Sequence, residues 1–136
     1  MHSTSLHDLI RSNAEEICRL HARIHETVPS RGRSPADRRI WSDACAEFHA
    51  RYDVLAFPGG YDTALARIAA GDVDAIEAGL CFLEVRPYFF RSGYMFKDIL
   101  RKMRRAVLDE PQSARLEVIA EAYGRYRAGR ARGRRR

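Results

Sequence analysis

Apolar residues recur at steps of three and four from the start of the chain. Leu6, Leu9, Ile10, Ala14, Ile17, Leu20, Ile24 and Val28 share one face of a helix predicted from about Leu6 to Thr27. Ser5 and Asp8 resemble a capping box at its start, and Pro29 ends it. Ser34-Pro35-Ala36-Asp37 predicts a second start: a hydroxyl cap, a proline where no N–H is needed, and a carboxylate near the positive dipole end. Trp41, Ala44, Cys45, Phe48, Tyr52 and Leu55 trace its inner face, so Trp41 is expected in the core against the first helix. Pro58-Gly59-Gly60 breaks the pattern.

Asp62 to Ala70 reads as a short third helix with Leu65 and Ile68 inward. Asp72 caps a fourth that buries Val73, Ile76, Leu80 and Leu83 before Pro87. Ser92 opens a fifth with Phe96, Ile99, Leu100, Met103 and Val107 inward, and Asp109-Glu110-Pro111 leads into a sixth carrying Leu116, Ile119, Ala120 and Tyr123. No stretch alternates with period two for long, although the β-branched and aromatic content of Glu84 to Phe90 also suits a short extended piece. The expected fold is therefore all-α: about six helices in an irregular bundle or a short stack of helical hairpins. Residues 1–128 form one helical domain in this reading. Residues 129–136 hold nothing apolar larger than Ala131 and are expected to be a disordered arginine-rich tail.

With 136 residues, 46% of them hydrophobic, the chain can bury a core of its own. Charge is divided along it. Residues 1–85 hold nine Lys/Arg against thirteen Asp/Glu, a net −4, whereas residues 86–136 hold fifteen against five, a net +10. The C-terminal half should therefore attract polyanions or an acidic protein. Cys18, Cys45 and Cys81 are odd in number and far apart, which opposes a disulfide framework and suits a reducing, cytoplasmic setting. The N-terminal residues lack the pattern of a secretory signal, no apolar run is long enough to span a bilayer, and no membrane partner is expected.

A phosphate-cradling glycine loop, a nucleophile elbow and a His-Glu-x-x-His pair are all missing; the nearest string, His21-Ala22-Arg23-Ile24-His25, lacks the adjacent glutamate. Cys18, His21 and His25 on the first helix, with Cys45 and His49 on the second, could supply a tetrahedral metal site if the two helices form a hairpin. Packing explains these residues more simply, because buried cysteine behaves as a small hydrophobe and true zinc sites place two ligands close together on a turn. Neither a metal nor another cofactor is expected.

Arg86-Pro87-Tyr88-Phe89-Phe90-Arg91-Ser92-Gly93-Tyr94 interleaves rings and guanidinium groups, a combination that stacks bases and neutralises phosphate. The same residues could simply cap the core with their charged heads in water. Lys97, Arg101, Arg104 and Arg105 follow on the polar face of the fifth helix, and Arg125, Arg127, Arg130, Arg132, Arg134, Arg135 and Arg136 could extend that surface into an arm. The leading expectation is a non-enzymatic protein-interaction module. A nucleic-acid-binding accessory protein, with weak and non-specific affinity, is the alternative. A metal-dependent enzyme built on the Cys/His cluster ranks third. An exposed apolar patch would favour the first, and merging of the fifth-helix basic face with the C-terminal arginines into one stripe the second.

Overall fold

Side-chain caps set three of the helix starts that the sequence points to. The structure is a computed structural model describing the backbone of residues 3–135 and the side chains of residues 5–133. It contains α1 (Ser3–Thr27), a single 3-10 turn (Val28–Ser30), α2 (Pro35–Ala56), α3 (Ala64–Ala69), α4 (Val73–Val85), α5 (Ser92–Arg105) and α6 (Glu110–Arg135). Ser34 Oγ accepts from Asp37 N at 3.0 Å to open α2, and the Asp72 carboxylate accepts from Ala75 N at 2.9 Å to open α4. A reciprocal box opens α6: Gln112 N donates to Asp109 Oδ1 at 2.9 Å while Asp109 N donates to Gln112 Oε1 at 3.0 Å. Each cap supplies a partner for N–H groups that a first helical turn leaves without one.

The turn after α2 depends on glycine. Gly59 and Gly60 have φ of +84° and +92°, and a Cβ on Gly60 would sit 2.7 Å from Asp53 Oδ2. Asp53 is drawn in because its Oδ1 accepts from Asp62 N at 2.7 Å, while Arg67 Nη2 donates to Gly60 O at 2.9 Å. The chain is thereby redirected into α3.

One continuous core joins all six helices. Ile17 and Leu20 of α1, Phe57 after α2, Ile68 of α3, Leu80, Cys81 and Phe82 of α4, and Ile99 and Met103 of α5 are fully enclosed. Ile119 closes the core from α6, with Leu116 and Tyr123 partly buried beside it. Burying a large aliphatic or aromatic side chain is worth roughly 1.5–3 kcal/mol, so α4, with eight buried residues, is the central element. The helices α1 and α2 form an antiparallel hairpin that meets α4 through α1, and α3 and α5 pack on α4 and on each other. All described elements are helical, and no strand occurs among the described residues: Glu84 to Phe90 finishes α4 and then runs irregularly.

Several sequence expectations need correction. The helix α1 is already formed at Ser3, so Ser5 lies inside it and does not cap it. Val73 and Val107 are 75% and 93% exposed: the first lies at the outer start of α4, and the second follows the end of α5 at Arg105. Trp41 is half-buried and outside the core, its ring covered by Arg31 at 5.1 Å and its Nε1 enclosed without a partner among the described residues. The C-terminal arginines are not a disordered tail from Gly129 onward, because α6 continues to Arg135. Alanine and arginine are strong helix formers, and elongation from a packed stem avoids the cost of nucleation. Tyr123 with Arg127 and Tyr126 with Arg130, each pair four residues apart, add contacts along its surface. Arg136 and the side chains of Arg134 and Arg135 lie outside the described residues.

A candidate anion-binding groove

The connection between α4 and α5 is pinned from three directions. Phe89 is buried, with its ring 6.3 Å from Phe82 and edge-on to it, and its N–H donates to Ser92 Oγ at 3.0 Å. The Cys18 thiol of α1 donates to Tyr88 O at 3.3 Å, and the Tyr52 hydroxyl of α2 donates to Phe90 O at 2.6 Å. Burial raises the pKa of Tyr52, with nearby Arg91 acting the other way, so the hydroxyl keeps its proton and remains a donor. His21 supports the segment from below, with its ring 5.0 Å from Phe90 and 5.5 Å from Phe48.

Arg86 and Arg91 bracket this segment, and they are the only non-glycine residues with positive φ among those described, at 51° and 70°. A left-handed backbone costs a residue with a Cβ roughly 1–2 kcal/mol, which the anchored surroundings must offset. The result is that both guanidinium groups reach the surface beside exposed rings. Arg91 lies over Phe90 at 5.4 Å. Arg86 turns towards α6, 3.7 Å from the ring centre of Tyr126, with Phe96 and Tyr123 at 5.2 and 5.6 Å.

These residues line a groove of about 1310 Å³ between α1, the α4–α5 connection and the outer half of α6. That exceeds the roughly 300–1,000 Å³ typical of a small-molecule pocket. Arg86, Arg91, Lys97, Arg127 and Arg130 contribute five cations to its lining against one carboxylate, Glu26. Outside the groove some arginines are paired, Arg19 and Arg51 with Glu16, Arg101 with Asp98, Arg115 with Glu77 and Glu84, whereas others, among them Arg38, Arg39, Arg104 and Arg105, have no ion-pair partner among the described residues. None of the five groove cations has an ion-pair partner among the described residues. The α5 N-terminus opens into the same groove at Ser92 and Gly93 without an acidic residue in its first turn, so its positive dipole end is not neutralised there.

The sequence candidates divide accordingly. Arg91, Lys97 and Arg130 line the groove, whereas Arg101, Arg104, Arg105 and Arg132 are exposed outside it. Cys18, His21 and His25 also border it, in a role different from metal ligation. His21 and His25 meet edge to face at 4.7 Å, and burial followed by the neighbouring His25 lowers the pKa of His21. His49 is exposed with its ring edge-on to Phe48, and Cys45 is half-buried. The five do not converge: among the described residues, the one set of three or more ligating atoms within 4.8 Å of one another is His7, Cys81 and Glu84.

That second cluster joins α1, α4 and α6, and the sequence reading missed it. Arg115 donates to Glu77 at 2.7 and 3.0 Å and to Glu84 at 2.7 and 3.0 Å, and His7 Nε2 lies 3.0 Å from Glu84 Oε1. Burial and the Glu77 charge push the Cys81 thiol up to about 11. The single guanidinium bridges both carboxylates and balances one of their two negative charges, so the cluster works as a tie between α4 and α6. The available signal was the spacing of Glu77, Cys81 and Glu84, which puts a polar stripe on an otherwise apolar helix. In the groove, Arg86, Tyr126 and Arg127 were likewise not singled out as a set, because only folding brings residue 86 to residue 126.

No helix among the described residues is long and apolar enough to cross a membrane. Comparison with protein-family models, with curated proteins and with solved structures gives no match, so the groove's own chemistry is the basis for a functional reading.

Proposed function

We propose that this chain is a nucleic-acid-binding module that holds the phosphate backbone in the groove between α1, the α4–α5 connection and α6. The observation that carries this reading is the set of five cations without carboxylate partners, gathered among exposed aromatic rings. A cation lacking an internal partner loses no ion pair when a phosphate approaches, and its counterions are released on binding. The protein-interaction alternative would be favoured by a contiguous exposed apolar patch. Exposed aliphatic residues are instead spread over separate elements, with Leu9 on α1, Ile40 and Val54 on α2, Val73 on α4 and Val118 on α6. Exposed Tyr88, Phe90, Tyr94 and Tyr126 all line the groove.

Fluorescence anisotropy with a labelled single strand of about 15 nucleotides tests the reading across about 50–200 mM salt. Binding should weaken steeply as salt rises. Arg86→Glu combined with Arg127→Glu should abolish it, whereas Arg104→Glu combined with Arg105→Glu should weaken it only slightly. Absence of binding at the lowest salt, or equal loss in both double variants, would contradict the reading. Tighter capture of an acidic polypeptide than of nucleic acid would favour a protein partner instead.

A further inference from the structure

We infer that the groove selects single-stranded over duplex nucleic acid by stacking unpaired bases on Tyr88 and Tyr94. The inference rests on the proposed nucleic-acid reading and names the form of the ligand. The rings are presented to solvent to an unusual degree, Tyr88 at 90% and Tyr94 at 69% exposure. They are not on a loose loop. Carbonyl bonds from Cys18 and Tyr52 fix the backbone on both sides of Phe89, and Tyr94 stands in the first turn of α5. A tyrosine ring held on a fixed backbone loses little freedom when a base lies against it, so its position favours a ligand with flat faces.

Charge narrows the choice further. Arg86 and Arg91 stand at the two ends of the segment that carries Tyr88, and Lys97 follows one turn of α5 after Tyr94. Cations and exposed rings thus alternate along the chain from Arg86 to Lys97, matching a polymer in which anionic phosphates alternate with planar bases. An acidic polypeptide supplies the charge without the planar groups. A duplex supplies both, but its bases are stacked inside and their faces cannot reach a tyrosine.

The test uses the full chain with a labelled single strand of about 15 nucleotides, the corresponding duplex, and inorganic polyphosphate as a competitor that has charge but no bases. The single strand should bind at least about tenfold more tightly than the duplex, and polyphosphate should compete poorly. Tyr88→Ala and Tyr94→Ala should each weaken single-strand binding about 5- to 150-fold, the range expected for loss of one stacked base. Tyr88→Phe should retain most of the affinity, because the ring and not the hydroxyl does the stacking. Unchanged thermal melting of each variant would separate a binding loss from a folding loss. Equal affinity for all three polymers, with no effect of the tyrosine substitutions, would overturn stacking while leaving phosphate binding intact. No binding to any of them would overturn both.

Discussion

The guanidinium carbon of Arg86 lies 3.7 Å from the centre of the Tyr126 ring, joining residues forty positions apart across one wall of the groove. Arg86 takes a left-handed backbone where α4 ends, and that turn aims its side chain at α6. The groove therefore depends on how firmly α6 is docked. Its inner half is held by Ile119, by Tyr123 against Phe96 at 5.0 Å, and by Arg115; every described side chain from Gly124 to Gly133 is exposed.

Arg115→Ala should destabilise the protein by about 2–3 kcal/mol. Breaking one side of a partly buried ion cluster leaves carboxylates uncompensated, and the value is set below the roughly 3–5 kcal/mol of a fully buried pair because Arg115 is 27% exposed. Arg115→Lys should recover little, since an ammonium cannot bridge two carboxylates as a planar fork does. Urea unfolding gives the difference; a loss below about 0.5 kcal/mol would show that the apolar contacts alone seat α6.

Stability should fall in acid, and in two stages. Burial, reinforced by His25, lowers the pKa of His21, so the folded state resists protonation and loses stability as pH drops below 6.5. Glu16 is held at about 2, from an ordinary 4.5, by hydrogen bonds from Arg19 and then Arg51; hydrogen bonds from Arg115 also lower Glu84. Contributions from these depressed carboxylates are present above pH 4.5 and fade as pH falls towards 2. Asp62 acts in the opposite sense, because the Asp53 charge raises its pKa and protonation relieves that repulsion. Urea midpoints measured from pH 7 to pH 2 should fall less steeply for Arg51→Gln combined with Arg19→Gln than for wild type. Parallel curves would contradict the assignment to Glu16.

Thiol reactivity should separate the cysteines. Cys18 is exposed and Cys45 half-buried, whereas Cys81 is enclosed and its thiol is pushed up to about 11. At pH 8, Cys18 should react first, Cys45 more slowly, and Cys81 only on unfolding. Mass spectrometry after brief alkylation checks the order, and early labelling of Cys81 would mean that α4 and α6 separate readily.

Most of the fold was legible because helix boundaries come from local chemistry. Ser34, Asp72, Asp109 and the Pro58-Gly59-Gly60 break act within a few residues, and the inward faces of α4 and α5 follow a short period. Errors arose where a periodic position met no partner. Val107 fits the period of α5 but lies beyond its last turn, and Trp41 fits that of α2 but sits outside the core. The candidate site was legible in part: Arg91, Lys97, Arg130 and the aromatic segment stood out in the sequence, but their juxtaposition with His21 and Tyr126 is tertiary. Whether basic helix positions join one groove or stand apart, as Lys97 and Arg104 do, depends on the packing of other elements.

Trp41→Ala should cost about 1–2 kcal/mol, less than the roughly 3–5 kcal/mol of a fully buried aromatic truncation. The ring is half-buried, outside the core, with Arg31 over one part of it. A larger loss in urea unfolding would return Trp41 to the core.

Photochemical cross-linking of a 4-thiouridine-substituted single strand to the full chain, with cross-linked peptides identified by mass spectrometry, tests the central claim most directly. The account predicts cross-links on the segment from Arg86 to Tyr94 and around Tyr126, all lining the groove. Cross-links confined to α2 and α3, or to residues 132–136, would place any nucleic-acid contact elsewhere and contradict it.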